Sequence, residues 1–212
     1  MYKVKICGIL EDRHIFAAAQ SGASYVGFVF FEKSRRNVSI PTAQRLANDT
    51  PNGIVRVALL VNPSNICINR VLENVSIDMI QLHGNETVER VNEIKGVSKL
   101  PVMKAIGIKT KADLALINQY EVVADQILLD AKPPVNALSP GGLGQSFDWN
   151  ILSNFEPKKP WLLAGGLNAQ NVKSAINKTG ASEFDVSSGV EDRLGVKSER
   201  KIFEFLNTLK EL

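Results

Sequence analysis

Short apolar runs alternate with helix-forming stretches along the whole chain, and this alternation restricts the possible folds more than any other feature. The run at 25–30 is almost continuously apolar, which is typical of a strand buried on both faces in a parallel sheet. A first strand is predicted through Val4 and Ile6, ending at Cys7, where Gly8 lets the backbone turn. Further strands are predicted at 25–30, 55–61, 79–82, 102–106, 126–130, 161–164 and 183–186.

A predicted helix follows each strand. Asp12 is placed to cap the first helix, and Pro41 suits the first turn of the second, where its missing N–H costs nothing. Ser198 is the expected cap of the last helix. The helices are predicted at 15–20, from 41, and at 63–71, 88–94, 112–118, 149–155, 169–176 and 201–209.

Strict alternation of strands and helices implies parallel strands joined by right-handed crossovers. Eight such units close naturally as a (β/α)8 TIM barrel, and 212 residues leave no room for a second domain. We therefore predict an α/β protein with one barrel domain over residues 1–212. A doubly wound open sheet is the alternative, but it needs a glycine-rich turn after the first strand, where Gly8 stands alone.

Charge and composition exclude several classes of protein. A formal charge of +3, with basic and acidic residues interspersed, provides no basic stripe for nucleic acid. No run approaches about 18 apolar residues and no apolar segment follows the first lysines, so we expect neither export nor membrane insertion but a cytoplasmic protein. Cys7 and Cys67 have no metal-ligand spacing and are expected to be free thiols.

Polar side chains stand where several predicted strands end. These are Cys7, Arg36, His83, Asp130 and Asp185, and in a barrel the carboxyl ends of the strands form the active site. Each has a plainer interpretation, since a free cysteine is usually a buried apolar residue and an aspartate after a strand can cap a turn. Their convergence on one face favours a catalytic site.

Glycines and serines follow the last two strands, where barrels often bind phosphate through backbone N–H groups. The longest loop, between the sixth strand and its helix, carries glycines at 141, 142 and 144. We interpret this loop as a cover that excludes water from the site, and a plain flexible connection is the alternative. The candidate phosphate residues are Gly165, Gly166, Ser187, Ser188 and Gly189.

Eight short motifs occur in a fixed order along almost the whole chain. They are Lys5-Ile6-Cys7-Gly8, Gly27-Phe28-Val29-Phe30, Ser34-Arg35-Arg36, Gln81-Leu82-His83-Gly84, Leu129-Asp130, Gly141-Gly142-Leu143-Gly144 with Phe147-Asp148-Trp149, Ala164-Gly165-Gly166-Leu167 and Asp185-Val186-Ser187-Ser188-Gly189-Val190-Glu191. Taken together, they resemble the phosphoribosylanthranilate isomerase family.

The resemblance implies a (β/α)8 enzyme of L-tryptophan biosynthesis that needs no cofactor or metal. Its reaction is the Amadori rearrangement of N-(5-phospho-β-D-ribosyl)anthranilate to 1-(2-carboxyphenylamino)-1-deoxy-D-ribulose 5-phosphate. Carried over from the family, Asp130 is the general acid that protonates the furanose ring oxygen. Cys7 is the general base that removes the proton from C2′. The resemblance also implies a monomer or a homodimer, and we favour the monomer.

The resemblance further implies the residues that bind the substrate. Arg36 pairs with the anthranilate carboxylate, and Asp185 contacts a hydroxyl or amino group of the substrate. His83 lines the same opening at the carboxyl ends of the strands. The remaining substrate-binding residues, most of them around the phosphate, are Gly142, Gly144, Gly165, Gly166, Asn168, Ser187, Ser188 and Gly189.

The sequence departs from the family pattern at several positions. Ala58 stands where glycine is common, Arg35 where proline is common, and Leu143 where a small hydroxyl residue is usual. Ser198 replaces a frequent aspartate. These changes affect the third strand, the second loop, a side-chain contact to phosphate, and the start of the last helix.

Three other functions are alternatives. The related isomerase of histidine biosynthesis performs the same rearrangement with two aspartates, whereas Cys7 ends the first strand here. A metal-dependent sugar-phosphate epimerase needs several histidine and aspartate ligands, and the chain has only His14 and His83. A barrel that binds phosphate without catalysis predicts damage at Cys7 or Asp130, and both residues are present.

Overall fold

Eight parallel strands form a closed barrel in the order of the sequence, with the first strand paired to the last. The structure is a computed structural model, and it describes residues 2–134, 136, 141–142 and 144–212. The strands are β1 (Lys3–Cys7), β2 (Tyr25–Phe30), β3 (Val55–Leu60), β4 (Met79–Leu82), β5 (Val102–Ile108), β6 (Gln126–Ala131), β7 (Trp161–Leu163) and β8 (Glu183–Val186). The predicted (β/α)8 fold is confirmed.

Helices pack around the outside of the barrel between successive strands. A large apolar core lies between strands and helices and includes Ile6 of β1, Phe28 of β2 and Phe184 of β8. A smaller apolar group, with Met103, Leu128 and other side chains from β5 to β7, forms a second cluster. The helices are α1 (Asp12–Gln20), α2 (Ile40–Asn48), α3 (Asn65–Asn74), α4 (Val88–Ser98), α5 (Ala115–Tyr120), α6 (Val172–Thr179) and α7 (Glu199–Lys210).

The sixth unit differs from the prediction. In place of a helix at 149–155, the chain forms one 3-10 turn, Trp149–Leu152. Ser153 and Asn154 follow, residue types that favour turns over helix interiors, and Asn154 has a left-handed backbone with φ of 65°. The predicted helix therefore stops after a single turn.

Helix starts also correct three predictions. Asp12 lies in the first turn of α1, and the N-cap position belongs to Glu11. The third helix begins two residues after Pro63, because Ser64 accepts a hydrogen bond from the Cys67 backbone N–H and becomes the cap. Ser198 does occupy the N-cap position of α7, but its side chain makes no capping hydrogen bond.

A short antiparallel hairpin follows β8 and was not predicted. It consists of β9 (Glu191–Arg193) and β10 (Val196–Lys197), and a 3-10 turn at Ser188–Val190 leads into it. Gly195 turns the hairpin with φ of 86°. The hairpin matters for the site because Glu191 and Lys197 are both buried.

The burial of His14 makes the stability of the protein depend on pH. His14 is 1% exposed on α1, and neither ring nitrogen has a hydrogen-bond partner among the described residues. Burial lowers its pKa below 6.5, so the native protein keeps a neutral ring while the unfolded chain takes up a proton. His14 therefore leaves the free energy of unfolding unchanged above pH 6.5, and it lowers that free energy as the pH drops toward the folded pKa.

We expect His14→Leu to flatten this acid dependence. Urea unfolding of wild type and variant at pH values between 7.5 and 5 measures the effect, with Cys67→Ala as a control that changes no histidine. An equally steep loss of stability in His14→Leu would contradict this account.

Candidate functional site

One cavity opens at the carboxyl ends of the strands, and most of the predicted site residues line it. Side chains and backbone from β1, β6, β8 and the loops after β2, β4 and β7 contribute to its wall. The predicted residues in this lining are Cys7, Arg36, His83, Asp130, Gly142, Gly144, Gly165, Gly166, Asp185, Ser187 and Ser188.

Cys7 ends β1 at the floor of the cavity and is 4% exposed. Burial raises the pKa of its thiol above the ordinary value. The positive charge of Lys5 acts in the opposite direction, and that of Lys197 does so more weakly, while Asp185 raises the pKa further. The thiol is therefore a weak acid whose ionisation depends on the charges around it.

Gly27 of β2 makes room for this thiol. Gly27 pairs with Cys7 in the β1–β2 register. A Cβ atom at position 27 would lie 3.0 Å from the Cys7 Sγ and 3.2 Å from the Lys5 Cε. A larger residue in β2 would press on both side chains.

Asp130 lies at the end of β6 and is held from two sides. The Ala131 backbone N–H donates to its Oδ1 at 2.8 Å, and the His83 Nε2 lies 3.3 Å from its Oδ2. Gln81 Nε2 lies 3.0 Å from His83 Nδ1. With Gln81 as the donor, neutral His83 carries its hydrogen on Nε2, which faces Asp130.

The loop that carries His83 is anchored by a buried ion pair. The Glu86 carboxylate lies 2.9 Å from the Lys104 Nζ and also accepts from the backbone N–H groups of Asn62 and Gly84, at 2.7 Å and 3.0 Å. Lys104 in turn donates to the Gly84 carbonyl at 2.7 Å. These bonds fix the backbone directly after His83.

Arg36 is 6% exposed and makes a two-point bond to Glu191 of β9. Its Nε and Nη2 donate to the two carboxylate oxygens at 2.7 Å and 3.0 Å, and Nη2 also donates to the Gly142 carbonyl at 3.0 Å. Lys197 donates to the same carboxylate at 2.7 Å. The Arg36–Glu191–Lys197 group therefore holds two cations and one anion.

Glu191 and Lys197 were not predicted as site residues, and a single acidic or basic residue in a loop gives no signal of such pairing.

The loop that carries Gly141 and Gly142 lies directly on Asp130 and Arg36. A Cβ at position 141 would come within 2.6 Å of the Asp130 Oδ2, and one at position 142 would overlap the Arg36 Nη1. Gly142 has φ of 71°, which other residues rarely adopt. The loop thus covers Asp130 and Arg36 with backbone atoms alone. Leu143 lies outside the described residues.

Strands β7 and β8 lead into the part of the cavity wall that contains Gly165, Gly166, Ser187 and Ser188. Gly165 and Gly166 have φ of 87° and 64°, and the Gly144 carbonyl packs against Gly166. Ser187 donates from its hydroxyl to the Cys7 carbonyl at 3.0 Å and accepts from Lys197 at 3.0 Å. Ser188, the second serine predicted to bind phosphate, begins the 3-10 turn that follows.

Asn168 and Gly189 lie beside this end of the cavity and are not part of its lining. The Asn168 side chain accepts from the backbone N–H groups of residues 170 and 171, both at 3.0 Å. This turn explains why α6 begins at Val172 rather than at 169. Gly189 packs so closely on Leu167 that a Cβ would overlap its carbonyl oxygen. Contact of either residue with a ligand stays a prediction.

Two observations concern metals and membranes. The part of the chain that the structure describes contains no group of three or more His, Cys, Asp or Glu side chains that could hold a metal ion. Across the same residues, every helix is too short or too polar to cross a bilayer.

Comparison with known proteins gives consistent results. The family model of N-(5'phosphoribosyl)anthranilate (PRA) isomerase matches residues 4–208. The N-(5'-phosphoribosyl)anthranilate isomerase of Cereibacter sphaeroides is 50% identical over 208 residues, which are 98% of each chain. The structure of monomers of the dimeric phosphoribosylanthranilate isomerase of Thermotoga maritima has a TM-score of 0.85 and 35% identity over both full chains. A phosphoribosyl anthranilate isomerase in complex with reduced 1-(o-carboxyphenylamino)-1-deoxyribulose 5-phosphate has a TM-score of 0.86 and 34% identity, again over both full chains.

Lys197 is expected to lose its proton at an unusually low pH for a lysine. Burial lowers its pKa to about 8, and the Glu191 carboxylate limits that decrease. We expect one lysine side-chain carbon resonance to titrate with a midpoint near pH 8 and to be absent in Lys197→Met. In Glu191→Gln the midpoint should move lower, because the carboxylate no longer stabilises the ammonium. A spectrum in which every lysine titrates near 10.5 would contradict this prediction.

Proposed function

The chain belongs to the N-(5′-phosphoribosyl)anthranilate isomerase family, and from this premise we propose how its residues carry out the reaction. The protein is an isomerase of L-tryptophan biosynthesis. It converts N-(5-phospho-β-D-ribosyl)anthranilate to 1-(2-carboxyphenylamino)-1-deoxy-D-ribulose 5-phosphate, an aldose-to-ketose isomerisation within one molecule. The roles of individual residues are our proposal.

The observation that supports these roles most strongly is the placement of Cys7 and Asp130 in one cavity. They end β1 and β6, and β7 and β8 lie between them in the closed barrel. The candidate phosphate residues follow those two intervening strands. A sugar phosphate anchored there would extend its ribose between an acid on one side and a thiol on the other.

Asp130 is the proposed general acid. It gives its proton to the furanose ring oxygen as the bond from that oxygen to C1′ breaks. The lone pair of the anthranilate nitrogen forms a double bond to C1′, which produces an iminium cation. The Ala131 N–H and His83 hold the carboxyl group in place for this transfer, so less reorganisation is needed when the ring opens.

Cys7 is the proposed general base. In its thiolate form it takes the proton from C2′ onto sulfur, and the electron pair of that C–H bond forms the C1′–C2′ double bond and neutralises the iminium nitrogen. The enolamine then gains a proton at C1′ and loses one from the C2′ hydroxyl, which yields the ketone. The positive iminium makes the C2′ proton more acidic, and its charge favours the Cys7 thiolate, whose formation burial opposes by raising the pKa of the thiol.

Arg36 is the proposed partner of the anthranilate carboxylate. Glu191 fixes the orientation of its guanidinium with two hydrogen bonds, and Lys197 adds a second cation to the group. With two cations and one anion, this group keeps a positive charge that suits a carboxylate. Asp185 and His83 are proposed to contact the ribose portion, because both line the cavity that contains Cys7 and Asp130.

The phosphate is proposed to bind at the backbone after β7 and β8. Successive residues with left-handed backbone, as at Gly165 and Gly166, can turn several N–H groups toward one anion. Ser187 and Ser188 line the same end. Gly142 and Gly144 close over the ligand, and Asn168 and Gly189 support the backbone around it.

We further propose that residues 1–212 form one catalytic domain that acts in the cytoplasm without a cofactor. The Thermotoga maritima relative is described as dimeric and also as monomers, which supports a monomer or a homodimer here. Sedimentation at several protein concentrations distinguishes the two, and we expect the monomer.

The decisive assay follows the loss of anthranilate-type fluorescence after freshly generated phosphoribosylanthranilate is mixed with the protein. Asp130→Asn and Cys7→Ala should each lower kcat by about 10²–10⁴-fold, the usual contribution of a general acid or base. Cys67→Ala, which removes the other thiol on α3, should keep wild-type activity. Near-normal activity of folded Cys7→Ala would refute the base assignment.

Gly142→Ala tests the contact between the loop and Arg36. A methyl group there would meet the Arg36 Nη1, and a non-glycine residue in this backbone conformation costs about 1–3 kcal/mol. We expect KM to rise by about tenfold or more, since 1.4 kcal/mol corresponds to one factor of ten. Gly96→Ala on α4, where a Cβ meets nothing within 4 Å, is the matched control. Equal KM values for the two variants would contradict the proposed contact.

A further inference from the structure

Lys5 is a completely buried lysine in the middle of β1, with 0% exposure. Lysines are almost never fully buried unless they are paired, because removing an ammonium from water is costly. Its partner is Asp185 of β8, whose Oδ1 lies 2.9 Å from the Lys5 Nζ. The two residues stand opposite each other in the register that closes the barrel.

The Lys5 side chain also lies beside the Cys7 thiol. Lys5 and Cys7 are two residues apart in one strand, so their side chains point to the same face. A Cβ at position 27 would lie 3.0 Å from the Cys7 Sγ and 3.2 Å from the Lys5 Cε, so both side chains pack against the same Gly27 backbone. The absence of a side chain at position 27 lets the lysine and the thiol share one space.

The charges that face Cys7 come from three elements. Lys5 lies on β1, Asp185 on β8 and Lys197 on β10. Lys197 is already bonded to Glu191 and Ser187, and its effect on the thiol is smaller than that of Lys5. Without Lys5, the thiolate would face the Asp185 carboxylate in a buried site, which strongly disfavours a second negative charge.

We propose that Lys5 is a positioning residue that stabilises the thiolate form of Cys7, with Asp185 fixing the ammonium beside the sulfur. This inference rests on the proposed role of Cys7 as the general base. The proton from C2′ ends on the sulfur, and Lys5 keeps its own proton throughout. Lys5 therefore acts through the charge of its ammonium and transfers no proton. Asp185 gains a second role, since it orients Lys5 in addition to contacting the ligand.

The test measures the pKa of Cys7 directly in a Cys67→Ala background, where Cys7 is the remaining thiol. Thiolate absorbance and the rate of alkylation by iodoacetamide are followed against pH, with the double variant Cys7→Ala/Cys67→Ala as the blank. Lys5→Met should raise the pKa of Cys7 by about 1–3 units, the usual effect of one adjacent opposite charge. Lys5→Met/Asp185→Asn, which removes both charges, should also raise it, by a smaller amount.

Kinetics separate this role from a purely structural one. In Lys5→Met, kcat at neutral pH should fall by about tenfold for each unit of pKa shift and recover as the pH rises, with KM nearly unchanged. Lys3→Met is the matched control, because Lys3 lies on the same strand but is largely exposed and pairs with Glu183. The dependence of kcat on pH in Lys3→Met should match that of the parent protein.

A measurement on the protein with native Lys5 keeps the test valid if the Lys5 variants do not fold. One lysine resonance should shift at the midpoint of the Cys7 titration and lose that shift in Cys7→Ala. An unmoved Cys7 profile in a folded Lys5 variant, or no such lysine resonance, would overturn the inference. An active Cys7→Ala variant would instead refute the base assignment itself, so the two failures are distinguishable.

Discussion

The pairing of β1 with β8 is the constraint on which the site depends. It joins strands about 180 residues apart in sequence and closes the barrel. The same register sets Lys5 opposite Asp185, and Cys7 follows two residues later in the lining of the cavity. The Ser187 hydroxyl bonds to the Cys7 carbonyl just beyond the paired segment. The pairing that closes the barrel therefore also brings Lys5, Asp185, Cys7 and Ser187 together.

Buried ion pairs lie beside the cavity. Lys5 is paired with Asp185, and Arg36 and Lys197 share Glu191. An unpaired buried charge costs several kcal/mol, so these pairs restrict the side chains to one arrangement before any ligand arrives. The excess cation beside Glu191 suits an anionic ligand, while the Lys5–Asp185 pair is neutral overall and acts on the thiol by its orientation. The site is thus organised mainly by charges within the protein.

Periodicity sufficed to predict the barrel, because parallel buried strands have near-continuous apolar runs whose bounds were right to within two residues. The convergence of Cys7 and Asp130 followed from the fold, since both end strands of one barrel. The pairing of Glu191 with Arg36 did not follow, because it joins residues 155 positions apart through a hairpin only a few residues long. Burial of Lys5 did not follow from the sequence either, since a lysine in a strand is usually exposed to water. Its burial depends on a carboxylate supplied by β8.

The most direct test of the central claim is a crystal structure of this protein with reduced 1-(o-carboxyphenylamino)-1-deoxyribulose 5-phosphate, the ligand of a related isomerase. The account predicts the ligand carboxylate on the Arg36 guanidinium and the phosphate on the backbone after β7 and β8. The ligand C2′ should lie in contact with the Cys7 sulfur, with Asp130 on the opposite side. A ligand bound with its phosphate at Arg36, or with C2′ out of reach of Cys7, would contradict the account.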